Sequence, residues 1–193
     1  MAIQLTAIVD FDETLLLEDS LMHILMSERL YLQPKILLLG GVLFIAKLML
    51  SREKQVPFRT RFKHEVLRVL ISRGQEQIVQ KYARQLSPLL NRELLNHLKT
   101  NYAKVLIFSS AWRPFIERFL LLNAPELSAR VYATEFSDTI SGFRICWYTQ
   151  KLKGLDELKV GPFDLFTDSF DDAPLIARAE KCFLVSGRAW KEL

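Results

Sequence analysis

The stretch that decides the fold is Ile3-Gln4-Leu5-Thr6-Ala7-Ile8-Val9, followed at once by Asp10-Phe11-Asp12-Glu13-Thr14. A short apolar run rich in β-branched residues predicts a buried strand of a parallel sheet. The acidic cluster directly behind the run predicts that the strand delivers polar side chains at its carboxyl end. Ligands of open α/β sheets bind at that edge, so the cluster marks a candidate site.

Three later apolar segments are also predicted strands, and polar residues follow two of them. They are residues 104–108, followed by Ser109 and Ser110; residues 163–167, followed by Asp168, Asp171 and Asp172; and residues 182–185. Residues 113–122 have helical periodicity. Polar groups from distant parts of the sequence are therefore expected to converge on one crevice.

Composition limits the class of protein. The chain has 193 residues, of which 50% are hydrophobic and 25% are charged. These values exclude disordered and collagen-like chains and favour one α/β domain with an inserted subdomain. Cys146 and Cys182 lack metal-ligand spacing, which predicts buried thiols in a reducing, cytoplasmic compartment. The net charge of +4 would suit an anionic partner, but the basic residues are dispersed, so we expect no nucleic-acid partner.

The long connection between the first two strands is mostly helical in pattern. A structureless loop of this length is improbable in a compact protein, so we expect a separate helical unit. We predict an α/β fold with a three-layer Rossmann-like core and a mostly parallel sheet, formed by residues 1–17 and 88–193. Residues 18–87 would form an inserted helical cap, with breaks at Gln33-Pro34 and Val56-Pro57.

Asp10 and Asp12 are the candidate reacting groups. A carboxylate can attack phosphorus only where a cation and nearby donors offset the negative charges, so Mg²⁺ is the expected cofactor. A second carboxylate can protonate the leaving oxygen if its pKa differs from that of the first. The alternative is that both residues only cap the next helix.

The other candidate site residues follow the later strands. Ser109 and Ser110 would stand beside the N–H groups that open the next helix, an arrangement that binds anions, although serine is also a common helix cap. Lys151 or Lys153 could hold the phosphate, unless both are solvated. Asp168 and Asp172 supply the oxygen ligands that Mg²⁺ prefers.

Asp10-Phe11-Asp12-Glu13-Thr14, Ser109, Lys151 and Asp168 to Asp172 resemble, in this order, the four motifs of the haloacid dehalogenase superfamily of phosphatases. The resemblance implies that Asp10 is the nucleophile of an aspartyl-phosphate mechanism and Asp12 the general acid/base. It also implies that Asp10, Asp12 through its carbonyl and Asp168 bind Mg²⁺. Thr14 and Ser109 would bind phosphate or order the loop, Lys151 would hold the phosphate, and Asp172 would support the site.

Finer features resemble the phosphoserine-phosphatase-like branch of the superfamily. The stretch Cys146-Trp147-Tyr148-Thr149-Gln150-Lys151 is similar to the lysine motif of the phosphatidylglycerophosphatase C family, which favours Lys151 over Lys153. Asp19 falls where this branch carries an acidic residue facing the substrate, although it could simply cap a helix near Ser20. Glu13 and Thr167 depart from the pattern, because each replaces a glycine that is common in the superfamily.

The apolar run 36–46 is the most informative part of the predicted cap. Eleven helical residues reach only about 16 Å, too short to cross a bilayer but suited to entering one leaflet. Residues 30–50 are thus a candidate peripheral membrane contact at the inner face of the membrane. The basic residues close enough in sequence to meet anionic headgroups are Arg52, Lys54, Arg59, Arg61 and Lys63. The alternative is packing against the core or a second subunit.

The expected activity is phosphomonoester hydrolysis, with a lipid phosphate as the leading substrate. A small soluble phosphomonoester such as phosphoserine is the alternative substrate. A non-catalytic membrane-associated binding module is the alternative from another class, although a binder would need neither Asp10 nor Asp12 as a reacting carboxylate.

Overall fold

The computed structural model describes residues 5–193. Within this range the strands form one six-stranded sheet in the order β3-β2-β1-β4-β5-β6. Its strands are β1 (Thr6–Val9), β2 (Lys104–Trp112), β3 (Ala129–Thr134), β4 (Asp164–Thr167), β5 (Lys181–Ser186) and β6 (Ala189–Glu192). All neighbouring strands pair in parallel except β5 and β6. The predicted mostly parallel α/β fold is confirmed, while Ile3 and Gln4 of the predicted first strand lie outside the described residues.

Strand β1 is buried on both faces. Ala7 and Val9 belong to the larger apolar core, whereas Ile8 packs on the opposite face in a second core with Leu155 and Leu175. A strand covered by helices on both sides has no solvent-facing positions, which explains its continuous apolar run. The sheet is therefore the middle of three layers.

Strand β2 is longer than the sequence predicts. It continues past residue 108 to Trp112, because β3 follows it as far as the pair Trp112 and Thr134, with an irregular register after Ser109. The Thr134 hydroxyl also donates to the Ser110 carbonyl at 2.8 Å. The following helix is α6 (Arg113–Asn123), close to the predicted range.

The connection from β1 to β2 is helical, as predicted. Its helices are α1 (Ser20–Ser27), α2 (Pro34–Met49), α3 (Arg52–Ser72), α4 (Gln75–Gln85) and α5 (Arg92–Asn101), with 3₁₀ turns at Leu30–Leu32 and Ser87–Leu89. After β3 come α7 (Gln150–Glu157), a 3₁₀ turn at Phe170–Asp172 and α8 (Ala173–Ile176). Helices α2 and α3 pack together as a hairpin, and α4 packs on α6 of the core. The cap boundary at residue 87 stays a prediction.

The two predicted breaks have different outcomes. Pro34 opens α2, where its fixed φ and missing N–H cause no loss. The predicted break at Val56-Pro57 is wrong, because Pro57 lies inside α3 and the chain turns earlier, at Leu50 and Ser51. Pro57 is exposed, so the carbonyl that loses its helical partner can bond to water instead.

Helix α2 exposes an apolar stripe to solvent. Ile36, Leu43 and Ala46 face inward and are buried. The stripe follows the helical period on the opposite side and comprises Leu37, Leu38, Val42, Phe44, Ile45, Leu48 and Met49. No helix within residues 5–193 is long and apolar enough to cross a membrane.

Candidate active site

A pocket of about 130 Å³ lies where β1 and β4 end. It is lined mostly by polar and charged residues: Asp10, Asp12, Glu13, Asp19, Arg59, Ser110, Trp147, Lys151, Asp168, Ser169, Asp171 and Asp172. A larger cavity of about 430 Å³ lies elsewhere, next to β3, and contains none of these carboxylates. The carboxyl edge of the sheet therefore collects the acidic residues, as the strand pattern predicts.

Lys151 joins two of the predicted carboxylates. Its Nζ donates to Asp10 Oδ2 and to Asp172 Oδ2, both at 2.9 Å, and lies 2.6 Å from Asp172 Oδ1. Burial by itself would lower the pKa of Lys151, but the charges of Asp10 and Asp172 raise it above its ordinary value. Lys151 is thus a permanent cation beside Asp10. Lys153 lines the separate cavity next to β3.

Asp172 is held in place by its neighbours. Thr167, which replaces the glycine of the superfamily pattern, donates its hydroxyl to Asp172 Oδ2 at 2.8 Å. Burial raises the pKa of Asp172 to about 6, although Lys151 opposes the shift. Asp172 therefore positions Lys151, and Lys151 in turn contacts Asp10.

Asp12 has the environment of a proton-transfer group. The main-chain N–H of Ser20 donates to Asp12 Oδ1 at 3.1 Å. Burial and the charge of Asp19 raise the pKa of Asp12 to about 8. A carboxyl group with such a pKa can carry a proton at neutral pH and donate it. Asp10 and Asp12 are thus chemically distinct although they are two residues apart.

Asp19 caps a helix and also lies at the pocket. Its carboxylate caps α1 by accepting from the Met22 N–H at 2.8 Å, and it also lines the pocket. It thereby brings a negative charge from the start of the helical insertion to the edge of the sheet.

Asp10 and Asp168 are candidate ligands for a cation. Burial and the charge of Asp10 raise the pKa of Asp168 to about 6, so the two carboxylates repel each other when both are charged. A divalent cation would remove this repulsion, and an oxygen-only donor set suits Mg²⁺. In the described part of the chain no three His, Cys, Asp or Glu side chains form a metal cluster by themselves. A cation here would need main-chain oxygen, such as the Asp12 carbonyl, or water as further ligands.

Two predicted hydroxyl groups do not line the pocket. Thr14 is buried and donates to Asp168 Oδ1 at 3.1 Å, so it orders a carboxylate. Ser109 is buried and its Oγ accepts from the Ala111 N–H at 3.2 Å. The expectation that Ser109 stands where the next helix opens is wrong, because β2 runs on to Trp112. Ser110 does line the pocket.

The helical insertion adds two basic residues that the sequence argument assigned to headgroups. The guanidinium of Arg59 lies 3.9 Å from the centre of the Trp147 ring and 3.5 Å from Asp171 Oδ2. Lys63 Nζ donates to the Ser110 carbonyl at 2.6 Å. Their spacing of four residues places them on one face of α3, but the sequence does not reveal what that face meets.

Glu13 adopts a left-handed backbone conformation, with φ of 58°. This conformation suits glycine, the residue that Glu13 replaces in the superfamily pattern. Glu13 also lines the pocket.

Comparison of the structure with solved structures identifies the fold. A phosphoserine phosphohydrolase-like protein from Francisella tularensis superimposes with a TM-score of 0.58 at 22% sequence identity, covering 92% of this chain and 85% of that one. A hydrolase of the haloacid dehalogenase family from Salmonella enterica serovar Typhi superimposes with a TM-score of 0.55 at 15% identity, covering 90% of this chain and 59% of that one.

The chain has the same fold as these two proteins. No protein-family model and no curated protein sequence matches the chain. At these identities the structural similarity concerns the fold alone, so the activity has to be argued from the site.

Proposed function

We propose that this protein is a magnesium-dependent phosphomonoester hydrolase that forms an aspartyl-phosphate on Asp10. The observation that carries the proposal is the pairing of Asp10 with Lys151 at 2.9 Å, beside an Asp12 whose pKa is raised to about 8. The site thus combines a charged nucleophile, a fixed cation and a protonated acid in one pocket.

The residues divide the reaction between them. Lys151 binds a phosphate oxygen and lowers the repulsion between phosphate and Asp10. Asp10 attacks phosphorus while Asp12 donates its proton to the leaving oxygen; Asp12 then takes a proton from the water that cleaves the aspartyl-phosphate. Asp10, Asp168 and the Asp12 carbonyl would hold Mg²⁺, which supplies further charge neutralisation.

A lipid phosphate is the substrate class that we favour. The exposed apolar stripe of α2 supports it, because a large exposed apolar patch marks an interaction site. The similarity of the lysine motif to that of phosphatidylglycerophosphatase C points the same way. We accordingly place the protein in the cytoplasm, at the inner face of the membrane.

The basic residues of α3 divide between the active site and the solvent. Arg52 and Arg59 pair with Asp171, and Lys63 donates to Ser110, so these cations face the active site. Lys54 and Arg61 of α3 remain exposed for anionic headgroups. The α2 stripe therefore carries most of the proposed contact.

The test is hydrolysis of an aryl phosphate in the presence of Mg²⁺. The wild-type protein should turn over the substrate and form an acid-stable phosphoprotein, and Asp10→Asn should lose both properties, because an amide is not a nucleophile. Asp138→Asn, at an exposed position, is the matched control and should keep them. Chelation of the metal should stop turnover, Mg²⁺ should restore it and Ca²⁺ should restore it poorly. Full activity of Asp10→Asn would refute the mechanism.

A further inference from the structure

A third, largely apolar cavity lies within the helical insertion. It has a volume of about 260 Å³ and is formed by α1, α2 and α3. Its apolar lining comprises Leu21, Met22, Leu25, Leu43, Phe44 and Phe62. Apolar cavities of about 150 Å³ already hold a benzene-sized molecule, so this space accommodates a longer hydrocarbon.

The cavity adjoins the catalytic pocket. Asp19 and Arg59 line both spaces. A chain that extends from a phosphate beside Asp10 would therefore reach the cavity by passing these two side chains. On the other side, Phe44 belongs both to the cavity lining and to the exposed stripe of α2.

The polar groups at the cavity favour a negatively charged ligand. Lys47, Arg59 and Lys63 line it together with one carboxylate, that of Asp19. The Nε atom of Arg59 is buried without a hydrogen-bond partner, so this guanidinium has an unused donor. An apolar space with an excess of cations at its polar end suits an amphiphilic anion.

We infer that this cavity binds the alkyl or acyl chain of an amphiphilic phosphomonoester whose phosphate lies at Asp10. The inference rests on the proposed function for the reacting end of the ligand and deepens it by assigning the chain to α1, α2 and α3. Buried Leu21, Leu25 and Leu43 would take the chain out of water. Phe44, which is exposed and lines the cavity, would meet the chain on the apolar side of α2.

Two adjacent glycines of α2 give a matched pair of variants. Gly40 lines the cavity, and a Cβ there would stand 3.5 Å from Phe62 Cε2, an ordinary contact. A Cβ on Gly41 would meet nothing within 4 Å. Gly40→Leu therefore fills the cavity with a side chain, whereas Gly41→Leu makes the same chemical change on the exposed side.

The experiment measures kcat/KM for n-alkyl phosphates from ethyl to octyl, below their micelle concentrations and with Mg²⁺. For the wild type, kcat/KM should rise roughly two- to fourfold per added methylene until the cavity is full, because each buried methylene leaves water. Gly40→Leu should lower the octyl-to-ethyl ratio at least about tenfold, and Gly41→Leu should keep the wild-type ratio. Thermal unfolding checks that both variants are folded.

Binding of n-octyl phosphonate, which has no ester bond to hydrolyse, tests the cavity without turnover. The wild type and Gly41→Leu should bind it at least about tenfold more tightly than Gly40→Leu. Equal binding by all three, or a wild-type ratio that does not depend on chain length, would overturn the inference. Tight, Gly40-dependent binding without hydrolysis of any phosphate would instead refute the proposed function and leave the cavity assignment standing.

Discussion

The carboxyl edge of the sheet and the α2–α3 hairpin use their side chains in opposite ways. At the sheet edge, buried charges are paired with one another, as Lys151 is with Asp10 and Asp172. On α2, large apolar side chains such as Leu48 and Met49 stand in solvent without cover. The charged groups at the sheet edge thus have partners within the chain, whereas the exposed apolar side chains of α2 are the surface that we propose for membrane contact.

The buried ion pairs at the sheet edge carry a cost in folding free energy, and a role in the reaction would explain why they are present. Taking an ammonium and two carboxylates out of water carries a desolvation penalty that their mutual attraction only partly offsets. On α2 the cost is of another kind, because exposed apolar surface weakens solubility and invites association. Each region thus departs from what stability alone would favour, and each departure coincides with a proposed function.

The largest expected effect comes from removing the cation at the sheet edge. Lys151→Met keeps the length of the side chain but removes the cation, so kcat for an aryl phosphate should fall at least about 100-fold. Lys153→Met is the matched control, because Lys153 lines the separate cavity, and its kcat should stay within about twofold of the wild type. Circular dichroism shows whether Lys151→Met remains folded. Equal activity of both variants would refute the role of Lys151.

The second prediction concerns the hairpin and its proposed membrane contact. Leu37→Asp combined with Leu48→Asp places two charges on the exposed stripe, at a cost of roughly 2 to 3 kcal/mol each near a bilayer centre and less at the interface. Sedimentation with anionic vesicles at low salt should show at least about a tenfold loss of binding, while aryl phosphate turnover persists.

The control for this variant is an equivalent change on α6. Leu121 and Leu122 are also exposed, and aspartate at both positions should leave vesicle binding unchanged. A wild-type protein that ignores vesicles would contradict the membrane contact. A wild-type dimer that dissociates in the Leu37/Leu48 variant would show that α2 packs against a second copy.

The third prediction tests how the hairpin is held together. Glu65 accepts hydrogen bonds from Arg68 and pairs with Lys35 at 2.7 Å, and these contacts lower its pKa to about 2. The stabilisation is fully present above the ordinary pKa of a glutamate, near 4.5, and is lost as pH falls towards 2. Glu65→Gln should lower Tm by roughly 2–4 °C at pH 7, about 1 kcal/mol.

The difference in Tm between wild type and Glu65→Gln should shrink between pH 5 and pH 2. Glu180, an exposed carboxylate, supplies the control, since Glu180→Gln should show no such trend. A pH-independent difference would mean that packing, and not the charge of Glu65, joins α2 to α3.

The smallest effect concerns the loop after β1. Because Glu13 has φ of 58°, Glu13→Gly should be more stable than Glu13→Ala by up to about 1 kcal/mol in denaturant unfolding. Alanine is the appropriate reference, since both variants lack the carboxylate and only alanine keeps the Cβ. If the two variants are equally stable, the loop does not require the left-handed conformation.

The sequence by itself determined the sheet and the acidic candidate residues at its edge. Asp10, Asp12 and Asp168 directly follow apolar runs, and the geometry of a parallel sheet brings the ends of such runs together. This inference needs only local pattern and a general rule of topology. It was less reliable at Ser109, because pairing with β3 extends β2 beyond the apolar run.

In the sequence only the resemblance of one motif favours Lys151 over Lys153, whereas the tertiary structure shows directly which cations lie at the sheet edge. Lys151 and Lys153 are about 200° apart around a helix of 3.6 residues per turn, so just one of them can face the sheet edge. Arg59 and Lys63 approach from α3, and nothing in their own segment states what that face of the helix meets. Their positions follow from how the hairpin packs on the core, which depends on contacts between residues that are far apart in the sequence.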